Sequence, residues 1–216
     1  EKALKMQRQI LNMESKLSMR EELQHVNRNE SHILVVSGIR RCGKSSLLKL
    51  LMRDSDAEYL FLNFEDSRIF QFQLSDFNKL DEIVHQDVQT YFFDEIQNVE
   101  NWEIYIRQLH DRGKKIFITG SNASLLSKEL GTRLTGRYLT KELFPFSYTE
   151  FIKLKKLPDE LNSFEKYIQS GGFPEFLVSN NPEILQNLVK DIVFRDIAIR
   201  YGIKNSKTLM DITLFL

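Results

Sequence analysis

The run Gly38-Ile-Arg-Arg-Cys-Gly43-Lys44-Ser45 constrains the fold of this chain more than any other segment. It matches the spacing G-x-x-x-x-G-K-[ST] at every fixed position, between a β-branched apolar stretch and a helical one. Glycine tolerates the dihedral angles that point consecutive backbone N–H groups at a phosphate. Lys44 adds a mobile positive charge for β- and γ-phosphates, and Ser45 adds a hydroxyl ligand for Mg²⁺. The run therefore predicts a phosphate-binding loop after a buried strand and at a helix start.

Four further residues belong to the predicted nucleotide-binding loop. Arg40, Arg41 and Cys42 fill its variable centre, and Ser46 flanks the hydroxyl of Ser45. The two arginines suit contact with phosphate, with a partner or with DNA. A solvated loop surface is a further interpretation, which the residues alone leave open.

Five short apolar segments predict the strands of one sheet, and helical periodicity fills the intervals between them. These segments are residues 31–38, 58–65, 90–95, 114–122 and 137–147. Continuous apolar strands that alternate with helices are typical of a parallel sheet covered on both faces. We therefore expect an α/β core over residues 30–147.

Two helical regions flank this core. Residues 1–29 carry apolar side chains at Met6, Ile10, Met13 and Leu17, a spacing that predicts a helical arm with one apolar stripe. Residues 148–216 are helical in period throughout. Pro158 and the segments 171–175 and 181–182 interrupt them. We expect an all-helical lid there, leading into the start of a winged-helix region.

An acidic pair follows the third predicted strand. Asp94 and Glu95 come directly after a run of apolar and aromatic residues, so we expect them at the carboxyl end of a buried strand. Asp94 would hold Mg²⁺ through its water shell. Glu95 would polarise a water for in-line attack on a γ-phosphate. A simple cap on the strand end is the alternative interpretation.

Polar residues also follow the fourth strand. Ser121 and Asn122 come where a side chain could reach between the acidic pair and the γ-phosphate and sense its loss. Ser and Asn are also good N-cap residues for the helical segment that follows. Both roles can coexist.

Composition limits the function classes. Lys+Arg and Asp+Glu both number 30, so the net charge favours neither nucleic acid nor an anionic membrane, although a local basic face stays compatible. The single cysteine excludes an internal disulfide and suits a reducing compartment. The four histidines show no metal-ligand spacing. Without a membrane-spanning run or a visible signal peptide, we expect a cytoplasmic protein with no membrane partner.

The motifs GIRRCGKSSLL, YFFDEIQNVENWE, IFITGSNASLLSKELGTRLTGR, LFPFSYTEF and GGFPEFL occur in this order. From about residue 30 onward they resemble the bacterial and archaeal AAA+-like ATPases of the ATPase-AAA-14 group. The resemblance implies a P-loop NTPase fold with strand order 5-1-4-3-2, a helical lid, and ATP and Mg²⁺ as ligands. It also implies a winged-helix and nuclease-like region beyond Leu216, so we expect the chain to be truncated.

The resemblance implies roles for residues that spacing alone does not assign. Arg137 falls where AAA+-like proteins often carry an arginine that completes a neighbouring subunit's site, and Arg133 is a weaker candidate. The alternative is a structural arginine paired with a local acid. Gly172-Phe173-Pro174 is similar to the G-x-P turn that closes the lid over adenine in the STAND branch, so Pro174 joins the expected binding residues. A helix-breaking loop is the alternative.

Several functions remain open from the sequence. The first is Mg-dependent binding and hydrolysis of ATP, coupled to a conformational change between core and lid, with a homo-oligomer as a compatible assembly. The second is a nucleotide-gated switch with slow or no turnover, set by ATP and ADP. The third is an ATP-using module that acts on DNA through the missing C-terminal region. A small-molecule kinase is disfavoured by Asp94 followed by Glu95.

Overall fold

The computed structural model describes residues 2–13, 17–26, 31–55, 58–120, 134–199 and 201–215. The chain forms two compact units. The first contains residues 1–39 and 43–144, and the second contains residues 40–42 and 145–216. Among the described residues, no helix is long and apolar enough to cross a membrane.

The first unit is built on a five-stranded parallel sheet. Its strands are β1 (Ile33–Gly38), β2 (Tyr59–Asn63), β3 (Thr90–Asp94), β4 (Lys115–Gly120) and β5 (Tyr138–Leu143). The strand order across the sheet is β2-β3-β4-β1-β5, with every neighbouring pair parallel. This confirms the predicted parallel sheet and the order 5-1-4-3-2, read from the opposite edge. The carboxyl ends of β1, β3 and β4 therefore meet at one edge of the sheet.

Within the described residues of the first unit, four helices accompany the sheet. They are α1 (Lys2–Met13), α2 (Lys44–Arg53), α3 (Asp76–Ile83) and α4 (Trp102–Asp111). Three short 3-10 helices lie between them, at Glu21–His25, Ser67–Ile69 and Ile96–Asn98. Strand β3 is buried at all five positions, as its unbroken apolar sequence predicts. A large aromatic and aliphatic core surrounds it, in which Phe77 stacks on Tyr105 with ring centroids 4.0 Å apart.

Helix α1 lies against β2 through a polar anchor. The Gln7 side chain is buried, accepts a hydrogen bond from the Asn63 backbone nitrogen at 2.8 Å, and donates to Asp66 Oδ2 at 2.8 Å. Met6 and Ile10, which belong to the predicted apolar stripe, stay exposed. Helix α1 thus covers residues 2–13 of the helical arm expected over residues 1–29, whereas residues 17–20 lack helix and residues 21–25 form a 3-10 helix. The buried side chain in its contact with β2 is a glutamine, whose amide oxygen and nitrogen are both hydrogen-bonded.

The second unit is helical. Its elements are α5 (Tyr148–Lys155), α6 (Leu161–Ser170), α7 (Pro174–Ser179), α8 (Pro182–Asp191), a π-helix (Ile192–Ile199) and α9 (Ser206–Phe215). Helix α5 begins with a capping box in which the side chains of Ser147 and Glu150 each accept from the other's backbone nitrogen. The second unit has a small apolar core formed by Phe146, Phe151 and Leu177.

Candidate functional site

The phosphate-loop residues lie where β1 passes into α2. Gly38 ends β1, and Gly43 is the N-cap of α2 with a φ of 104°. This left-handed conformation favours glycine, since a side chain there would be strained. Lys44, Ser45 and Ser46 form the first turn of α2, where backbone N–H groups lack helical acceptors. The turn can therefore direct backbone donors and the positive end of the helix at an anion.

Lys44 points into this site and not into solvent. Only 4% of the Lys44 surface is exposed. Its Nζ donates hydrogen bonds to the carbonyl oxygens of Gly38 at 3.1 Å and Ile39 at 3.2 Å. The same ammonium lies 3.9 Å from Glu95 Oε1. The lysine is thus held between the end of the strand and the acidic pair, within reach of an anion cradled by the loop.

Asp94 ends β3 at the floor of the site and is almost completely buried. Burial raises the pKa of its carboxyl above the ordinary value, because the charged form loses its hydration. Hydrogen bonds from Thr119 and Ser45, together with the charge of Lys44, act in the opposite direction on the same pKa. A buried carboxylate that is hydrogen-bonded to Ser45 can bind a cation, whose positive charge would stabilise its ionised form.

Glu95 has an unusual backbone. Its φ is 54° and its ψ is 45°, a left-handed conformation that costs a residue with a Cβ about 1 kcal/mol. Its side chain is held between Lys44 and Gln97, whose Nε2 donates to Glu95 Oε2 at 2.5 Å. The turn therefore places the glutamate carboxylate beside the ammonium of Lys44, at the same end of the sheet as Asp94.

Thr119 joins the two acids and was missed by the sequence analysis. Its hydroxyl donates to Asp94 Oδ1 and accepts from the Glu95 backbone nitrogen at 3.1 Å. The register explains the contact, because Phe93 pairs with Ile118 and the next residues of each strand are Asp94 and Thr119. The sequence signal for it is a threonine near the end of a buried apolar strand, two residues before Ser121.

The donor set of the site suits Mg²⁺. The Ser45 hydroxyl and the Asp94 carboxylate are oxygen donors, as this hard cation prefers. Within the described part of the chain, no three His, Cys, Asp or Glu residues cluster closely enough to hold a metal by themselves. Mg²⁺ is usually bound through one or two protein oxygens together with water and substrate phosphates.

The centre of the loop groups with the second unit. There Arg40 Nη2 lies 3.5 Å from Asp196 Oδ1, and Arg41 Nη1 lies 3.3 Å from Glu175 Oε2. The Cys42 side chain is buried. The two arginines therefore lie in ion pairs with acids, and the Arg41 side chain stays exposed, so the solvated surface that the sequence left open remains compatible.

Pro174 occupies the first turn of α7, where a missing N–H costs nothing. The preceding Gly172 lies against Phe146, whose nitrogen donates to the Gly172 carbonyl oxygen at 2.7 Å. The Gly172-Phe173-Pro174 turn is therefore built into the fold of the second unit. Its expected role over adenine stays a prediction.

Arg137 lies apart from the acidic pair. It immediately precedes β5, and its Nε is 3.6 Å from Asp111 Oδ1 at the end of α4. In a parallel sheet this is the edge opposite to the phosphate loop, so Arg137 does not join the site formed within the first unit. Ser121, Asn122 and Arg133 lie outside the described residues.

Comparison with known proteins agrees with this geometry. The sequence profile of the AAA domain family designated AAA_14 matches residues 30–152. An uncharacterized protein of Haemophilus influenzae is 39% identical over 209 aligned residues, which cover 85% of this chain and 50% of that protein. An uncharacterized protein of Methanocaldococcus jannaschii is 35% identical over 195 residues, covering 82% of this chain and 44% of that protein. The chain thus spans about half the length of these curated relatives.

Solved structures show weaker similarity. AMPPCP-bound DnaA from Aquifex aeolicus has a TM-score of 0.47 at 14% identity, over 100% of this chain and 69% of that one. The Thermotoga maritima RuvB Holliday junction branch migration motor has a TM-score of 0.47 at 14% identity, over 88% and 62% of the two chains. The family assignment rests on the sequence matches.

Proposed function

The chain belongs to the AAA domain family, and from this premise we propose that it binds ATP with Mg²⁺ and hydrolyses it. One observation carries the proposal. Glu95 Oε1 lies 3.9 Å from Lys44 Nζ, and the neighbouring Asp94 shares a hydrogen bond with Ser45. A lysine, a serine–aspartate pair and a further carboxylate thus lie at one end of the sheet, and these are the kinds of groups that hydrolysis of a phosphoanhydride uses.

The binding roles follow from position. The backbone donors after Gly43 and the ammonium of Lys44 hold the β- and γ-phosphates, and Ser46 flanks them in the first turn of α2. Ser45 and Asp94 would hold Mg²⁺, which neutralises charge on the transferring phosphoryl group when it is bound. Gly38 lets β1 end close to the phosphates.

Glu95 has the catalytic role in this proposal. Its carboxylate orients a water molecule and accepts a proton as the water oxygen bonds to the γ-phosphorus. The bond from the γ-phosphorus to the bridging oxygen breaks, and ADP leaves with phosphate. The left-handed turn and the hydrogen bond from Gln97 hold the carboxylate in a fixed orientation.

The finer roles are also proposals. Arg40, Arg41 and Cys42 take part in nucleotide binding, Ser121 and Asn122 sense the γ-phosphate, and Pro174 contacts the nucleotide. Arg137, or else Arg133, acts on the nucleotide of a neighbouring subunit in a homo-oligomer. Hydrolysis changes the relation between core and lid, and the full-length cytoplasmic protein uses that change on DNA or on a protein partner.

A nucleotide-gated switch is the second candidate. The short hydrogen bond between Gln97 and Glu95, together with the nearby Lys44 charge, engages both carboxylate oxygens of the proposed base. A base restrained in this way suits slow or absent turnover, in which ATP and ADP set a conformational state.

Measuring phosphate release by the full-length protein separates ATP hydrolysis from the nucleotide-gated switch. We expect Mg-dependent release by the wild type, loss of ATP binding in Lys44→Ala, and retained binding with release lowered about 10²-fold or more in Glu95→Gln. Glu100→Gln, an exposed change five residues away, is the matched control. Wild-type release as slow as that of Glu95→Gln supports the switch, whereas absence of ATP binding in the wild type contradicts both candidates.

Adding DNA at low salt tests the DNA proposal. That proposal fails if DNA changes neither the rate of phosphate release nor the affinity for ATP.

A further inference from the structure

Arg20 is a buried cation that the proposed mechanism does not use. Only 2% of the Arg20 surface is exposed. The residue lies in the segment before β1, outside residues 30–152 that match the family. Its Nη2 donates to the carbonyl oxygen of Phe144 at 2.7 Å and lies 3.5 Å from Glu22 Oε2. Burying a guanidinium is unfavourable unless its hydrogen bonds and charge are compensated, so its position requires an explanation.

The guanidinium packs against the phosphate loop. A Cβ built on Gly43 would lie 3.1 Å from Arg20 Nη1, so the arginine fills the space that a side chain at the N-cap of α2 would need. The 3-10 helix that begins at Glu21 packs against α2. The arginine therefore lies beside the same turn whose backbone donors face the phosphates in the proposed function.

We propose that Arg20 is a positioning residue of the phosphate site, supplied by the N-terminal segment. Its hydrogen bond to Phe144 holds the guanidinium, and the guanidinium in turn holds Gly43 in its left-handed conformation. Its fixed charge also adds positive potential next to the loop, which favours a polyphosphate over a neutral ligand. The inference rests on the proposed function and deepens it, since it adds a segment outside the matched family region to the nucleotide site.

Titration of the full-length protein with Mg–AMPPCP and with Mg–triphosphate tests the inference. We expect Arg20→Met to raise the Kd of both ligands about tenfold, because both depend on the loop. Arg20→Lys keeps the charge but loses the planar guanidinium that bonds to Phe144, so its Kd should lie between those of Arg20→Met and the wild type. Arg107→Met is the matched control, since Arg107 is an exposed arginine on α4, and its Kd values should equal those of the wild type.

Thermal unfolding without ligand is measured alongside. An Arg20→Met protein that melts at a lower temperature but binds both ligands with wild-type Kd has lost only structural support, and that result overturns the inference. Weakened AMPPCP binding with unchanged triphosphate binding also overturns it, because Arg20 would then act on the nucleoside. If Arg20→Met does not fold, the Kd values of Arg20→Lys decide in the same way. A wild type that binds neither ligand instead overturns the proposed function.

Discussion

The hydroxyl of Thr119 on β4 donates a hydrogen bond to the carboxylate of Asp94 on β3. The same oxygen accepts from the backbone nitrogen of Glu95 at 3.1 Å. One side chain thus orients the proposed metal-binding acid and fixes the turn that carries the proposed base. Because all three residues are buried, neither bond can be replaced easily by water.

Thr119→Val removes both bonds at nearly constant volume. We expect the free energy of unfolding to fall by about 1–3 kcal/mol, because the Glu95 nitrogen is left without its acceptor. We also expect phosphate release to fall about tenfold or more, since the base and the metal-binding acid lose their common support. Urea denaturation and steady-state phosphate release measure the two effects. Thr119→Ser keeps the hydroxyl and should retain most of the activity, and equal loss in both variants would contradict the role of the hydroxyl.

Gln97→Leu removes the donor to Glu95 while keeping a side chain of similar size. If the hydrogen bond orients the base, the turnover number should fall about tenfold while the Kd of Mg–AMPPCP stays unchanged. Stopped-flow phosphate release and titration of the analogue give the two quantities. Faster turnover in Gln97→Leu would show instead that the bond restrains Glu95, which supports the switch.

Strands β1 to β4, and with them a parallel sheet, could be predicted because each contains a continuous apolar run, which is a local property of the sequence. Strand β5, YLTKEL, differs because it carries polar residues and only its last residue is buried. The phosphate loop could be predicted for a similar reason, since its spacing is local and its glycines have a specific conformational role. The order of the strands came from the family resemblance. Most of what the sequence predicted about the fold thus came from short local patterns within residues 30–147.

Thr119 and Arg20 could not be found in this way because their roles depend on distant pairing. The contact of Thr119 with Asp94 follows from the register between two strands. Arg20 reaches a carbonyl that lies 124 residues further along the chain. The left-handed turn at Glu95 also has no local signal, since glutamate is not a residue that favours this conformation.

Asp66 gives the attachment of α1 a pH dependence. Its pKa is lowered to about 2, first by the hydrogen bond from Arg68 and also by that from Gln7. A carboxyl with a depressed pKa stabilises the fold above its unfolded pKa and loses that effect as the pH falls toward its folded pKa. We expect Asp66→Asn to lower the free energy of unfolding by about 1 kcal/mol at pH 7. The difference from the wild type should shrink below about pH 4, as urea denaturation at several pH values would show.

Asp87→Asn is the control for this measurement, because Asp87 is an exposed aspartate of the same unit. Its difference from the wild type should stay near zero at each pH. A constant difference for Asp66→Asn down to pH 3 would contradict the role of its charge.

Gly172→Ala tests the close approach of two backbone segments in the second unit. A Cβ there would overlap the carbonyl oxygen of Phe146 and lie 3.0 Å from its nitrogen. We expect a loss of about 2–4 kcal/mol in the free energy of unfolding, because backbone atoms cannot move aside as a flexible side chain can. Gly202→Ala is the control, since a Cβ there meets no atom within 4 Å and only the φ of 62° is unfavourable, at about 1 kcal/mol. Equal losses in denaturant melts would contradict the steric argument.

Variants of Arg137 separate two roles of this residue: a structural ion pair with Asp111, and action on the nucleotide of a neighbouring subunit. Its pair with Asp111 is partly exposed, so Arg137→Ala and Asp111→Asn should each change the free energy of unfolding by less than about 1 kcal/mol. If Arg137 acts on a neighbour, Arg137→Ala alone should lose phosphate release, whereas Asp111→Asn should keep it. Mixing Arg137→Ala with Glu95→Gln subunits should then restore part of the activity, because some interfaces combine an intact Glu95 with an intact Arg137. Full activity of Arg137→Ala at every protein concentration would leave Arg137 with its structural pair alone.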